Sequence, residues 1–208
     1  MKRERAAKRI FQAAYDAQQQ RITDQARADA HAIDWSAEDA HMVQSVLPFY
    51  DETLAVAAQQ GVGQLPVGVD WGRVNARVLA LAQAEAQRFA QQATATSQAQ
   101  VSQVIADWIA MGGTMDDLID RVGRVWSGPR ADVAAVTEVT RLYAQGNAAA
   151  WQASEVVQAM TWKTANDERV CPICGPLANT AVAFGGDLPP AHPHCRCWVV
   201  PVVKRPEE

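Results

Sequence analysis

Apolar positions recur every three or four residues through most of the chain up to about Met160, the spacing of helices that bury one face. After Thr161 that rhythm gives way to short β-favouring runs broken by Pro, Gly and Cys. The first periodic segment, Glu4 to Gln25, sets Ile10, Ala14, Ala17 and Ile22 loosely on one side, with Lys and Arg crowded before Ile10. Such a thin stripe needs a partner surface. Ser36 offers a cap for the amide of Asp39, and Met42, Val43, Val46 and Leu47 follow at helical spacing until Pro48, which should kink or interrupt the helix. Gly61 to Gly68 reads as a loop, and Val74, Val78, Leu81 and Phe89 mark a long helix starting near Asp70.

Ser97 with Gln100 has the form of a capping box opening a further helix, whose stripe of Val101, Val104, Ile105 and Trp108 ends at Gly112 and Gly113. Thr114 with Asp117 repeats the signal ahead of Leu118, Ile119, Val122, Val125 and Trp126, and Gly128-Pro129 stops that helix. Two helices joined by a Gly-Gly-Thr turn form a helical hairpin. Arg130 to Ala150 is the last clear helix, with Val133, Val136, Val139 and Tyr143 facing inward. Thr137, Glu138 and Arg141 fall at the edge of that stripe. Glu138 and Arg141 read as a solvated pair worth roughly a few tenths of a kcal/mol, with a catalytic glutamate as the other reading.

At 208 residues and 22.6 kDa the chain can bury one sizeable core with appendages. The expected fold is mainly α, a helical body with a small C-terminal α+β zinc-stabilised module. Its divisions are an N-terminal helical segment 1–69, a helical body 70–160 and a cysteine-rich module 161–208. A net charge of -4 argues against a protein whose whole surface grips nucleic acid, so any DNA contact should be patchy. The basic start, Lys2, Arg3, Arg5, Lys8 and Arg9, could touch phosphate or be merely solvated. No run approaches the ~18 apolar residues of a membrane helix, and the charged Met1 to Ile10 lacks a signal peptide's apolar centre. The expectation is a cytosolic chain without membrane contact.

All four cysteines, and two of the four histidines, lie between Cys171 and Cys197. In a reducing cytosol such a cluster points to metal rather than disulfides. Cys171-Pro-Ile-Cys174-Gly has the shape of a zinc knuckle, and His192-Pro-His194-Cys195-Arg196-Cys197 adds four more possible donors. The preferred set is Cys171 and Cys174 with two or more of His192, Cys195 and Cys197. His194 points away, because side chains alternate along an extended segment. Four protein ligands leave no place for water, which favours a structural ion over a catalytic one. Packed free thiols, or a disulfide such as Cys171 with Cys197, are the alternatives. Beyond Trp162, Phe184, Trp198, Val199 and Val200 the tail has little apolar bulk, so zinc would substitute for a core.

Trp162-Lys-Thr164, Asp167-Glu168-Arg169-Val170-Cys171, Cys174, Pro189-Pro190, His192-Pro193 and Cys195-Arg196-Cys197 closely resemble the C-terminal signature of the Mu F-like head morphogenesis proteins of tailed bacteriophages. Upstream, Arg130-Ala131, Thr137-Glu138 and Gly146-Asn147 look like the helix that precedes it, so the resemblance covers roughly Asp70 to Pro201. It implies a non-enzymatic minor capsid protein, present in few copies in the phage head and assembled in the bacterial cytoplasm. Its implied partners are portal and capsid subunits, and packaged DNA non-specifically. Two features depart from the family: His194 stands where a small polar residue is usual, and relatives are often longer at the N-terminus. Trp162 is expected to plug the core over the zinc loop and Asp167 with Arg169 to brace it locally. The competing readings are a zinc-containing nuclease, for which the eleven residues after Cys197 leave no ligand-bearing helix, and a carrier domain of a toxin-delivery system.

Overall fold

The computed structural model describes residues 2–165, 167–168 and 170–204. Helix α1 (Lys2–Ala28) buries Ala7, Phe11, Ala14, Tyr15, Gln18, Ile22 and Ala26, a stripe at three- and four-residue spacing. That stripe is rotated from the expected one: Ala17 is exposed and Ile10 half-buried. The aromatic rings decide the rotation. Phe11 meets Phe49 and Phe89 at centroid distances of 5.9 and 4.8 Å, and Tyr15 packs near Phe89.

Helix α2 (Trp35–Val62) departs from expectation twice. Its cap is Asp34, not Ser36, because the Asp34 carboxylate accepts from the Ala37 amide at 3.0 Å. Pro48 sits inside the helix without ending it. A mid-helix proline costs about 3 kcal/mol. The buried Val46, Phe49, Tyr50, Thr53 and Leu54 on either side hold the helix together through it.

Helix α3 (Trp71–Met111) starts as the sequence predicts, with Asp70 accepting from the amide of Gly72 at 2.8 Å, but it runs unbroken for 41 residues, roughly 60 Å. The expected capping box at Ser97 does not form. Ser97 lies fully buried in mid-helix, where its hydroxyl donates within bonding distance of Ala93 O and of Gln18 Oε1. Helix α4 (Met115–Gly123) opens with the predicted Thr114–Asp117 capping box, after a turn in which Gly112 takes φ 71°.

Helix α5 (Arg130–Ser154) buries Ala131, Ala134, Ala135, Val136, Glu138 and Leu142, while Val133, Val139 and Tyr143 are only half-buried. Glu138 is therefore not solvated. It is 4% exposed, accepts from the Tyr50 hydroxyl at 2.8 Å, and pairs with Arg88 and, at 3.5 Å, with Arg141. Burial first, and then the Glu138 charge, pushes the Tyr50 hydroxyl well above its ordinary pKa, so it stays a donor.

Strand β1 (Val157–Lys163) is the centre of an antiparallel sheet in the order β2-β1-β3, flanked by β2 (Ala181–Val182) and β3 (Trp198–Val203). Met160 faces Val182, and Trp162 faces Val199. The mainly helical architecture with a small C-terminal sheet is the one the sequence predicts. There are two cores. One joins α1 to α5; the other gathers Ala144 and Trp151 of α5 with Met160, Trp162, Val199 and three of the cysteines.

The α2–α5 crossing leaves no room for a side chain at Gly146, where an added Cβ would lie 2.6 Å from Ala57 Cβ and 2.8 Å from Leu54 O. Gly146→Ala should therefore destabilise by about 1–3 kcal/mol, lowering the thermal midpoint by roughly 3–10 °C. Gly63→Ala, in helical backbone with no neighbour closer than 3.5 Å, should be neutral or stabilising by up to roughly 1 kcal/mol. Circular dichroism melts of both variants check the contrast, and equal midpoints would contradict it.

Candidate metal centre

The first donor pair is set by a tight turn. Cys171 O accepts from the amides of Cys174 and Gly175 at 3.1 and 3.0 Å, and Cys171 Sγ accepts from the Cys174 amide at 3.4 Å. That backbone N–H, the largest influence on Cys171, holds its thiol below the usual range. Thr180 then hydrogen-bonds back to Leu177 and brings the chain to β2.

The second group comes from a turn after the 183–191 loop, closed by the Cys195 amide on His192 O at 3.1 Å. His194 occupies its bend with φ 62°, a conformation costing roughly 1–2 kcal/mol for a residue with a Cβ. The His192 ring places Nδ1 2.6 Å from the Pro193 carbonyl. A carbonyl can only accept, so Nδ1 carries the proton and Nε2 offers its lone pair. Nε2 lies 3.1 Å from Cys171 Sγ and 3.2 Å from Cys174 Sγ.

Cys174 Sγ is 3.7 Å from Cys195 Sγ. Two sulfurs bound tetrahedrally to one zinc at ~2.3 Å would stand ~3.8 Å apart. The five donors form two triads sharing Cys174: Cys171, Cys174 and His192, and Cys174, Cys195 and Cys197, each with its ligand atoms within 4.8 Å of one another. His194 belongs to neither triad. All four cysteines are free thiols, which removes the disulfide alternative.

Burial is the largest influence on Cys174 and Cys197 and pushes both thiols up, so neutral sulfurs crowd here unless a cation draws off their protons. The Trp162 indole N–H, buried as the expected plug, reaches no acceptor at full hydrogen-bonding geometry. It lies near enough to the Cys197 sulfur to favour its thiolate. A buried N–H waiting on a thiolate, together with soft sulfur and imidazole donors at these spacings, fits a zinc-type ion. Cys171, Cys174, His192 and one or both of Cys195 and Cys197 would hold it. The Asp167–Arg169 brace expected from sequence lies outside the described residues at Arg169.

A family model described as Phage Mu protein F like protein matches residues 99–200. Over that span the chain is similar to the Phage Mu F-like family. The match takes in the end of α3, α4, α5 and most of the sheet, and starts later than the Asp70 expected from sequence. No curated protein and no solved structure matches the chain. That similarity supports a role in phage head morphogenesis. Among the described residues, no helix is long and apolar enough to cross a membrane.

Within this Mu F-like segment the turn 192–195 is also held from α5. Thr140 Oγ1 donates to Cys195 O at 2.7 Å, and Thr137 Oγ1 accepts from the His194 amide at 3.0 Å. The sequence singles out the cysteines by local spacing but gives no sign of Thr140, whose partner lies 55 residues away.

Cys171 is half-buried while Cys174, Cys195 and Cys197 are buried. In metal-free protein Cys171, with its lowered pKa, should be alkylated first by iodoacetamide, and its reaction should set in at lower pH than that of Cys174. Peptide mass mapping over a time course reads the order. Earlier labelling of Cys195 or Cys197 would show that this arrangement of the thiols is wrong.

Proposed function

We propose that this chain is a non-enzymatic minor component of a phage head. In this reading residues 161–208 are a module fastened by one structural zinc ion to a helical body whose surfaces meet portal and capsid subunits. The observation that carries it is the convergence of five soft donors from the two ends of the tail in a chain with a Mu F-like segment. Bound zinc would supply cross-linking and charge neutralisation, drawing Cys171 and Cys174 to His192 and Cys195 across some twenty residues of chain. A shell filled by protein donors has no open position at which a water could be activated, which supports structure over hydrolysis. Trp162, Met160 and Val199 pack beneath the site and shield it from solvent.

Elemental analysis of the purified full chain should give about one zinc per chain, and Cys174→Ser, which removes the donor common to both triads, should abolish most of it and lower solubility. Wild-type protein with four free thiols and no metal would overturn the zinc reading. Co-expression with the portal protein of the same phage tests the partner: a shared peak in size-exclusion chromatography is expected, and separate elution sinks the portal assignment. Plasmid nicking in magnesium or manganese that is lost in His192→Ala would instead establish an enzyme.

A further inference from the structure

Thr137 and Thr140 stand three apart on α5, so their hydroxyls meet the same stretch of tail. Thr137 spends its own proton on the Val133 carbonyl at 2.6 Å, which leaves a lone pair for the His194 amide. Thr140 donates to the carbonyl of the following residue, Cys195, at 2.7 Å. The two hydroxyls thus grip the backbone of two adjacent residues at the left-handed bend of His194. On either side of that bend stand His192, a member of one donor triad, and Cys195, a member of the other. Whether the two triads can share an ion depends on the shape of this turn.

We infer that Thr137 and Thr140 are positioning residues for the metal. Helix α5 presets the turn 192–195 so that His192 Nε2 and Cys195 Sγ converge on Cys174 Sγ, and metal loading in return locks the tail onto α5. Coupling of this kind is reciprocal: whatever tightens the turn against α5 tightens the metal, and removing the metal loosens the turn. The exposed Arg196–Glu4 pair at 3.3 Å also ties the tail to α1, but a solvated pair adds little to that hold. This inference rests on the zinc reading above.

The test uses the full chain, with zinc affinity measured by competition against a chromophoric chelator and helicity by far-ultraviolet circular dichroism. Thr137→Val with Thr140→Val keeps the shape of both side chains and removes their hydrogen bonds. It should weaken zinc binding by about 10–100-fold at unchanged helicity, while Thr137→Ser with Thr140→Ser should stay within about threefold of wild type. Thr140→Val alone, which leaves the Thr137 bonds in place, should give a smaller loss and serves if the double variant folds poorly. Hydrogen exchange of the His194 amide should be faster in zinc-free than in zinc-loaded wild type. Valine variants that hold zinc as tightly as wild type overturn this inference alone; a wild-type chain that takes up no zinc overturns it together with the zinc reading.

Discussion

The tail has to bury sulfur because it has little else to bury. Its core is built from Met160, Trp162, Val182 and Val199 on a sheet whose strand β2 is only two residues long, and Cys174, Cys195 and Cys197 fill the space where a larger domain would place leucine or phenylalanine. Thiols contribute modest packing and weak hydrogen bonds. Packing four of them beside an imidazole that presents a bare lone pair is poor use of a small core if nothing joins them. One divalent ion would convert the same atoms into a cross-link between the knuckle and the turn before β3, a far stronger constraint than the contacts it would replace.

The helical body solves a different problem, that of holding long, alanine-rich helices in one register. Alanine faces allow close approach but specify little, since many rotations bury similar area. Two buried polar networks supply the specificity. Gln18, fully buried on α1, accepts from Ser97 of α3 and from Trp126, and Arg130 of α5 reaches the same serine at 3.1 Å. Glu138 of α5 joins Tyr50 of α2 to Arg88 of α3. Each group satisfies partners on other helices, so a rotation of any one helix would strand a buried polar atom. Removing one partner of a buried charge pair costs about 3–5 kcal/mol, more than sliding an alanine face would recover.

These networks also explain which parts of the fold were legible in the sequence. Asp70 and Thr114 mark their helix starts because capping depends on residues two or three positions away, whereas the helix expected to run to Gly128-Pro129 ends at Gly123 and tightens into a 3-10 turn over Arg124–Trp126. The cysteine turn and the His192 turn were legible for the same reason, as ligand spacings are local. Ser97 misled because its motif is the same whether the serine caps a new helix or bonds back to Ala93 inside an old one. What decides between these is Gln18, 79 residues earlier. Glu138 looked like a surface residue beside Arg141 for want of Tyr50, 88 residues away. Pro48 shows the converse: a strong local breaker yields when the residues on both sides are committed to a core.

Helix α5 is where the two halves of the molecule become one mechanical object. Ala131, Ala135 and Leu142 belong to the helical core, whereas Ala144 and Trp151 belong to the core of the tail, and the Trp151 indole donates to Gly61 O at 2.9 Å. Glu138 turns toward α2 and α3, while Thr137 and Thr140, its near neighbours, turn toward the donor-bearing turn. One stiff helix thus carries both the Glu138 network and the contacts to the donor-bearing turn. Gly146 permits this arrangement by letting α5 lie against Ala57 and Leu54 of α2, close enough to serve both cores at once.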